Sequence, residues 1–471
     1  MEEILEFDAA RQAEMISAGE VSAEEIMSAT LDRIDRVNGP LNAIVSIRDH
    51  GLLLEEARNR DNVKSDGPLH GLPIAIKDLA NAKGFPTSMG STLFKDFAAQ
   101  DDSVHVARLK AAGAIVIGKT NTPEFGLGSH TFNSVHGSTC NPYCNKVSCG
   151  GSSGGAAVAL AARMVSIADG SDMMGSLRNP AGWNNVYGMR PSWGLVPSDP
   201  EGDTFLHQLA TNGPMARSPG DLGLLLRVMS GPDSRQPHGR AFEPVKKTEN
   251  FIKGRRIGWL ADWGGAHAYE DGIMQVGESA MGVFESLGAA VEALQPPFGS
   301  EELWNSWTTL RSWQIASRLA VLLDDPEKRN HLKRDAIWEI ERGIGFTAMD
   351  VHSASVIRSS WFRSASLVFD VYDALVLPSA QVWPFPIESI SPETIGDKAM
   401  DTYHRWMEVT IPASLIGLPV VAIPAGFGDN GLPAGIQLIG RRGSDAALLE
   451  MAKAYHVATQ WPEKRPPGLQ S

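Results

Sequence analysis

The apolar positions of this chain fall into short, fully apolar runs separated by longer segments with a helical period. Two such runs, Ile74-Ala75-Ile76 and Ala114-Ile115-Val116-Ile117, stand on either side of a helix predicted over residues 102–112. Short apolar runs that alternate with helices are typical of buried, mostly parallel strands. The pattern therefore predicts an α/β protein in which helices flank a central sheet.

The same pattern predicts further elements along the chain. A capping box, Ser22 to Glu25, begins a helix that Asn38-Gly39-Pro40 ends, and Pro123 begins another helix as its first residue. Residues 126–149 and 184–200 are predicted to be irregular. The remaining helices are predicted over 52–60, 218–229, 271–287 and 445–457, and the remaining strands over 41–47, 256–260, 374–377, 420–423 and 435–439, with one more near Val291.

Residues 301–406 differ from the rest because they are mostly helical by pattern and rich in tryptophan. Aromatic side chains at helical spacing indicate a hydrophobic core, and a substrate funnel with aromatic walls is the alternative. Seven of the twelve tryptophans lie there: Trp304, Trp307, Trp313, Trp338, Trp361, Trp383 and Trp406.

Two glycine-serine segments lie close together, Gly150 to Gly155 and Gly170 to Ser176. An alanine-rich helix and a short apolar strand connect them, so the two loops can meet in space and bring two hydroxyl groups together. The first segment has the glycine spacing of a P-loop, but Ala156 and Ala157 stand where that motif needs lysine and a hydroxyl. It also matches G-x-S-x-G, but the residues before it predict no strand, which a nucleophile elbow requires.

Composition and charge narrow the class of protein. With 471 residues, 43% apolar and 21% charged, the chain reads as one globular domain, residues 1–471, without a linker. The formal net charge of −13 argues against nucleic acid and against an anionic membrane surface as partners. No apolar run reaches the roughly 18 residues that span a bilayer, and the acidic N-terminus shows no signal peptide. We therefore expect a cytoplasmic protein.

Three cysteines lie close together, Cys140, Cys144 and Cys149, with His130 and His136 nearby. An odd number of cysteines without a signal sequence indicates a reducing compartment. Their spacing matches no zinc or iron–sulfur motif, so ordinary thiols are the preferred interpretation over a metal site.

Several blocks in order resemble the amidase signature family, from about residue 10 to residue 460. The first four blocks are the lysine motif Gly67 to Asp78, the segment Gly118 to Phe125, the glycine-serine motif Gly150 to Gly155 and the segment Gly170 to Ala181. The last block is Gly417-Leu418-Pro419 followed by residues 431–440.

The resemblance implies one large α/β/α domain with a mixed, twisted central sheet, and an amidase without a metal or organic cofactor. It implies a Ser–cis-Ser–Lys triad with Lys77 as base, Ser152 as bridging serine after a cis peptide bond, and Ser176 as nucleophile. The expected substrate is a small-molecule amide, with water as the second reactant, and the chain is compatible with a homodimer. The backbone N–H groups of Met173, Met174, Gly175 and Ser176 are the expected oxyanion hole, and Ser153, Ser171, Asp172 and Arg178 the supporting residues.

Physical chemistry agrees with these roles. A serine hydroxyl attacks a carbonyl only when a base removes its proton, and lysine can do so only when neutral. At pH 7.5 neutrality costs about 4 kcal/mol unless burial lowers the pKa of the lysine. The apolar strand before Lys77 can supply that burial.

The chain departs from the family at Met173 and Met174, where the nucleophile is usually preceded by two glycines. We interpret the two methionines as a feature that shapes the loop and its specificity, because backbone donors do not depend on the side chain. A positive φ at Met174 would be unfavourable. Asp172 and Arg178 are predicted to form an ion pair that braces the loop.

The sequence leaves three alternatives open. The glutaminase subunit of a tRNA-dependent amidotransferase shares the triad, but the segment Met189 to Gly194 departs from the K-P-T-x-G-R run of that branch. A family member that cleaves ester, carbamate or urea-like bonds would use the same acyl chemistry. A non-catalytic binding protein is the third, although all three triad positions are filled.

Overall fold

The computed structural model describes residues 2–64, 67–245 and 250–469, built around one large sheet with helices on both sides. The strands are β1 (Ile44–Val45), β2 (Pro73–Lys77), β3 (Ile115–Thr120), β4 (Phe132–Asn133), β5 (Gly137–Ser138), β6 (Cys140–Asn141), β7 (Cys144–Ser148), β8 (Ile167–Asp172), β9 (Tyr187–Arg190), β10 (Thr211–Ala216), β11 (Arg256–Trp259), β12 (Ala290–Ala293), β13 (Ala374–Pro378), β14 (Thr394–Ile395), β15 (Lys398–Ala399), β16 (Val420–Phe427) and β17 (Pro433–Ile439). The α-helices are α1 (Ala9–Ala18), α2 (Ala23–Leu41), α3 (His50–Asp61), α4 (Val104–Ala111), α5 (Gly154–Ala161), α6 (Asn179–Trp183), α7 (Pro219–Met229), α8 (Ile273–Ser286), α9 (Ser300–Leu319), α10 (Pro326–His331), α11 (Arg334–Ile344), α12 (Ala348–Phe369), α13 (Ile411–Leu415) and α14 (Asp445–Thr459).

The central sheet has eight strands in the order β12-β11-β13-β17-β16-β9-β10-β8. Strands β12, β11 and β13 are parallel, whereas each neighbouring pair from β13 to β8 is antiparallel. The predicted mixed sheet is thus confirmed, although antiparallel pairs outnumber the parallel pairs that the helix–strand alternation suggested.

A second sheet of three strands, in the order β1-β3-β2, carries the predicted lysine motif. Strand β2 is buried along its whole length and ends at Lys77. The backbone N–H of Lys77 donates to Asp169 Oδ1 at 2.8 Å, and this bond ties β2 to β8 at the edge of the large sheet.

Alternate residues of the central strands pack into different apolar layers, as the two faces of a sheet require. In β13, Ala374 and Val376 pack in one layer with residues of α7, α8 and α14. Leu375 and Leu377 pack in another layer with the tryptophan-rich helices α9 and α12. The structure therefore has the three-layer arrangement that the sequence predicted.

The tryptophan-rich region is helical up to Phe369, and after β13 it contains the short hairpin β14–β15 and the start of a 3-10 helix, Arg405–Thr410. Its aromatic side chains build mainly a hydrophobic core, because Trp304, Trp307, Trp361 and Trp406 are buried. Trp338 differs from these four, with 38% of its surface exposed. The core interpretation is confirmed for the four buried tryptophans.

Four local predictions were wrong. Helix α2 continues through Pro40 to Leu41, because a proline in the last turn removes only one hydrogen bond. The helix expected after Pro123 is a single 3-10 turn, since Phe125 and Gly126 both have a positive φ. Residues 126–149 form the two hairpins β4–β5 and β6–β7, and residues 184–200 include β9.

Two predictions about the glycine-serine segments were also wrong. Strand β7 directly precedes the first segment, so the absence of a strand is no argument against a nucleophile elbow there. In the second segment Gly170, Ser171 and Asp172 belong to β8, and only the residues after Asp172 form a loop.

Among the helices of the described residues, none combines the length and the apolar character that a membrane span requires.

Candidate active site

Lys77 stands at the centre of the site, with its ammonium group completely enclosed. Its Nζ lies 2.8 Å from Ser152 Oγ and 2.8 Å from Ser153 Oγ. It also lies 3.1 Å from Ser171 Oγ and 3.3 Å from the Ser171 carbonyl oxygen. The lysine motif and both glycine-serine segments therefore meet at one nitrogen atom.

Burial determines the protonation of this lysine. Desolvation lowers the pKa of Lys77 from its ordinary value of 10.5 to about 7, while the carboxylates of Asp169 and Asp172 act in the opposite direction. A lysine with a pKa near 7 is partly neutral at physiological pH, so it can accept a proton.

The loop that presents Ser152 is held by hydrogen bonds from a neighbouring segment. The peptide bond between Gly151 and Ser152 is cis. Ser129 Oγ donates to the Gly151 carbonyl at 2.6 Å, and Thr131 Oγ1 donates to the Gly150 carbonyl at 2.8 Å. A Cβ atom on Gly154 would come within 2.2 Å of Thr131 Oγ1, so glycine is required for this close approach.

Ser176 lies beside this loop, at the start of the turn that leads into α6. Its carbonyl oxygen accepts from the Ser153 N–H at 3.3 Å. Its hydroxyl has no hydrogen-bond partner within the described residues, and 7% of the residue is exposed. A hydroxyl without a hydrogen-bond partner is available to a substrate that binds next to it.

Asp172 organises the loop before Ser176. Arg178 donates to its carboxylate from Nε at 3.0 Å and from Nη2 at 2.8 Å, which confirms the predicted ion pair. Arg190 adds a second cation at 3.3 Å, which the sequence did not indicate. Burial alone would raise the pKa of Asp172, but the charges of Arg178 and Arg190 hold it well below its usual range.

The same carboxylate limits which backbone groups are free. The N–H of Gly175 donates to Asp172 Oδ1 at 3.0 Å, so it leaves the set of four expected oxyanion donors. The N–H groups of Met173, Met174 and Ser176 have no acceptor in the part of the chain that the structure describes. The positive φ of this loop falls on Gly175, at 87°, and Met174 avoids the strain that the sequence raised as a concern.

Behind the lysine lies a buried pair that sequence reasoning missed. Asp169 Oδ2 is 3.0 Å from His105 Nε2, and His105 Nδ1 is 3.3 Å from Asn212 Nδ2. Both members of the pair are 1% exposed. The sequence did contain a signal for this pair. Asp169 directly follows the apolar residues Ile167 and Ala168 in a predicted buried strand, and a buried charge needs a partner.

Met173 is half-buried and belongs to a wall beside the serines. Its Sδ atom lies 3.3 Å from Arg311 Nη1, and Arg311 also donates to Tyr403 Oη at 2.8 Å and to Glu339 Oε1 at 2.7 Å. The loop Glu124–Gly126 and the two residues after it connect this wall with the serines. Gly126 approaches Ser152, and Gly128 approaches the ring of Tyr403.

The cysteines take no part in this arrangement. Cys140 and Cys144 lie on the β6–β7 hairpin, Cys149 is buried next to the glycine-serine loop, and all three are free thiols. Burial raises the pKa of Cys149 to about 12, so this thiol is not a nucleophile at neutral pH.

A buried lysine with a pKa near 7, in contact with three serine hydroxyls and close to a fourth on a mixed α/β scaffold, has the groups that serine-based hydrolysis with a lysine base requires. A family model described as "Amidase" matches residues 25–449. The chain belongs to this amidase family, and it is an enzyme that hydrolyses carbon–nitrogen bonds of amides.

Three comparisons illustrate the similarity. An acylamidase of Rhodococcus erythropolis is 32% identical over 97% of this chain and 96% of its own length. A glutamyl-tRNA(Gln) amidotransferase subunit of Symbiobacterium thermophilum is 33% identical over 97% of this chain and 98% of its own length. The crystal structure of a bacterial aryl acylamidase superimposes with a TM-score of 0.90 at 27% identity, covering 98% of both chains.

Proposed function

We propose that the protein hydrolyses small-molecule amides through an acyl-enzyme on Ser176, with Lys77 as general base and Ser152 as the proton relay between them. The observation that carries this proposal is the 2.8 Å contact between Lys77 Nζ and Ser152 Oγ beside an unpartnered Ser176 hydroxyl. A serine can donate one hydrogen bond while it accepts another, which is what a relay requires.

The first half of the reaction forms the acyl-enzyme. Ser176 Oγ attacks the carbonyl carbon of the amide, and its proton passes to Ser152 while the Ser152 proton passes to neutral Lys77. Collapse of the tetrahedral intermediate breaks the carbon–nitrogen bond, and the proton travels back along the same path to the departing amine. The second half repeats these steps with water as the nucleophile, which releases a carboxylic acid and restores Ser176.

The negative oxygen of the tetrahedral intermediate needs donors that are not used elsewhere. The N–H groups of Met173, Met174 and Ser176 are the candidates, because Gly175 already donates to Asp172. Asp172, clamped by Arg178 and Arg190, keeps the loop in the conformation that aims these groups into the site. Ser153 and Ser171 support Lys77 through their hydroxyl groups.

The substrate class follows from the wall beside the serines. Its apolar surface is supplied by the half-buried Met173, with Tyr403 as the polar end. Such a wall favours an apolar or aromatic acyl or amine group over a charged one. The similarity to an acylamidase and to an aryl acylamidase supports the same choice.

The role of an amidotransferase component is the second candidate, supported by the 33% identity to the Symbiobacterium protein. The segment from Met189 to Gly194 argues against it, since it lacks the residues usual in that branch. In this chain Arg190 is buried against Asp172. A cytoplasmic location and a homodimer stay predictions from the sequence, and light scattering of the purified protein measures the oligomeric state.

A fluorophosphonate probe tests the assignment of the nucleophile, because it reacts covalently with activated serines. We expect the wild-type protein to be labelled on the peptide that contains Ser176 and Ser176→Ala to remain unlabelled. Ser153→Ala is the matched control, since it removes a hydroxyl that also touches Lys77, and it should still be labelled. Labelling of Ser152 or Ser153 in place of Ser176 would reject the assignment.

A further inference from the structure

A groove of about 420 Å³ lies between α12 and the loop that follows β17. Phe362, Phe369 and Leu418 contribute apolar surface. The charged lining residues are Arg240, Asp370, Arg441 and Arg442. None of its lining residues belongs to the group around Lys77. The groove therefore needs an explanation of its own.

Two arginines, Arg441 and Arg442, lie on the loop that follows β17. Arg441 pairs with a carboxylate, since its Nη2 lies 2.7 Å from Asp370 Oδ1. Arg442 has no carboxylate partner within the described residues. Its Nη2 donates to the Trp193 carbonyl at 3.3 Å, its guanidinium lies 5.8 Å from the centre of the Trp193 ring, and its buried Nε has no acceptor. Arg442 thus keeps unused donors at the groove.

Arg240, which is remote in the sequence, also contacts the loop that follows β17. Its backbone N–H donates to the Gly194 carbonyl at 2.9 Å, and its Nη2 lies 3.0 Å from where a Cβ atom on Gly443 would be. It also forms no ion pair within the described ranges of the chain. Asp445 is near Arg240 in space, since burial raises the pKa of Asp445 and the charge of Arg240 opposes that shift. The two carboxylate oxygens of Asp445 are, however, occupied by the N–H and Oγ of Ser192, at 2.8 and 2.5 Å.

The guanidinium groups repel one another. Burial and the charge of Arg240 lower the pKa of Arg442, and burial and the charge of Arg442 lower the pKa of Arg358, one turn before Phe362 on α12, to about 10. In a chain with a net charge of −13, this concentration of unpaired cations is not part of a generally basic surface. An anion between them would remove the repulsion.

We propose that the groove binds an organic carboxylate with an apolar body, its carboxylate held by Arg442 and Arg240 and its apolar part packed on Phe362, Phe369 and Leu418. Arginine matches a carboxylate with two parallel hydrogen bonds. The volume lies within the range of about 300–1,000 Å³ found for small-molecule sites. This site is independent of the catalytic assignment, although a carboxylic acid is also the class of product that amide hydrolysis releases.

Isothermal titration of the full-length protein with benzoate tests the proposal. We expect Arg442→Gln to weaken benzoate binding by about tenfold or more, because a charge-assisted hydrogen bond is lost. Arg363→Gln, which removes an exposed charge from the same helix outside the groove, should bind like wild type. Benzyl alcohol, which has the ring without the charge, should bind at least tenfold more weakly than benzoate.

Two further measurements separate the groove from other sources of binding. Ser176→Ala should bind benzoate like wild type, and Phe362→Asp, which places a carboxylate in the groove at an exposed position, should abolish binding. Equal affinity of wild type and Arg442→Gln would overturn the proposal, since benzoate would then lie elsewhere. Inorganic phosphate binding as tightly as benzoate would also overturn it. If Arg442→Gln does not fold, Arg240→Gln decides by the same criteria.

Discussion

Asp169 accepts a hydrogen bond from the backbone N–H of Lys77 at 2.8 Å and thereby fixes the end of β2 against β8. Its negative charge also favours the protonated form of the Lys77 ammonium, although burial has the larger effect on that pKa. One carboxylate therefore contributes to the position and to the basicity of the proposed base.

Replacement of Asp169 by asparagine should move the pH profile of hydrolysis toward lower pH. Asparagine can still accept the backbone hydrogen bond, but the charge that favours protonated Lys77 is gone, so the pKa of the lysine falls further. The measurement is kcat/KM against pH. Asp221→Asn, which changes a buried carboxylate that caps α1, is the control and should leave the midpoint where it is. An unchanged midpoint in Asp169→Asn would show that the two groups are not coupled.

The wild-type protein should gain activity as pH rises through about 7 and level off near pH 8. Neutral lysine is the active form, and the pKa of Lys77 is lowered to about 7, so kcat/KM should rise about tenfold per pH unit below that value. Single-turnover rates measured from pH 5.5 to 9 separate this effect from product release. A flat profile would remove Lys77 from the role of base.

Lys77→Met and Lys119→Met should separate catalysis from folding. Lys77→Met removes the proposed base, and we expect a loss of about 10²–10⁴-fold in kcat. Lys119 is equally buried, but its Nζ donates to the Ala80 carbonyl at 2.5 Å and to Thr87 Oγ1 at 3.1 Å. Lys119→Met removes hydrogen bonds that do not involve the serines, so it should lower Tm while kcat stays close to the wild-type value. Activity assays and thermal unfolding of both variants test the contrast, and the reverse result would contradict the assignment.

Asp172→Asn should destabilise the protein strongly. The substitution leaves Arg178 and Arg190 buried without a counter-charge, and breaking a buried pair in this way costs about 3–5 kcal/mol. Urea unfolding gives the change in the free energy of unfolding. Asp233→Asn is a suitable comparison, since Asp233 pairs with the exposed Arg235 and such pairs contribute about 0–1 kcal/mol.

Met173→Ala should change substrate selectivity, whereas Met174→Ala should change stability. Met173 is half-buried against Arg311 in the wall beside the serines, so its removal should raise kcat/KM for amides with bulky acyl groups relative to acetamides. Met174 is 3% exposed in the core, and its truncation should cost about 2–5 kcal/mol. A panel of amides of increasing acyl size, measured with both variants, tests this. Equal effects on all substrates in Met173→Ala would contradict a role in selectivity.

Some local predictions failed because tertiary contacts outweighed local preference. Pro123 does begin a turn, but Phe125 donates its N–H to the Met89 carbonyl and adopts a positive φ, which ends the expected helix. Cys144 to Ser148 lacks an apolar pattern, yet it becomes a strand because the hairpin partner β6 supplies the hydrogen bonds. Met89 is remote in the sequence from Phe125, and β6 is close to β7 but too short to show a strand pattern. The Ser148 N–H also donates to the remote Phe385 carbonyl at 2.8 Å.

The sequence by itself determined the class of fold, because buried strands and glycine turns leave local patterns. The resemblance of its motifs to the amidase signature family identified Lys77, Ser152 and Ser176 as candidates. Only the tertiary structure decided which groups surround them. Asp169, His105 and Arg190 reach the site from separate elements, and Gly175 loses its free N–H to Asp172. Desolvation sets the pKa of Lys77, and it depends on the whole packed environment, which no local pattern encodes.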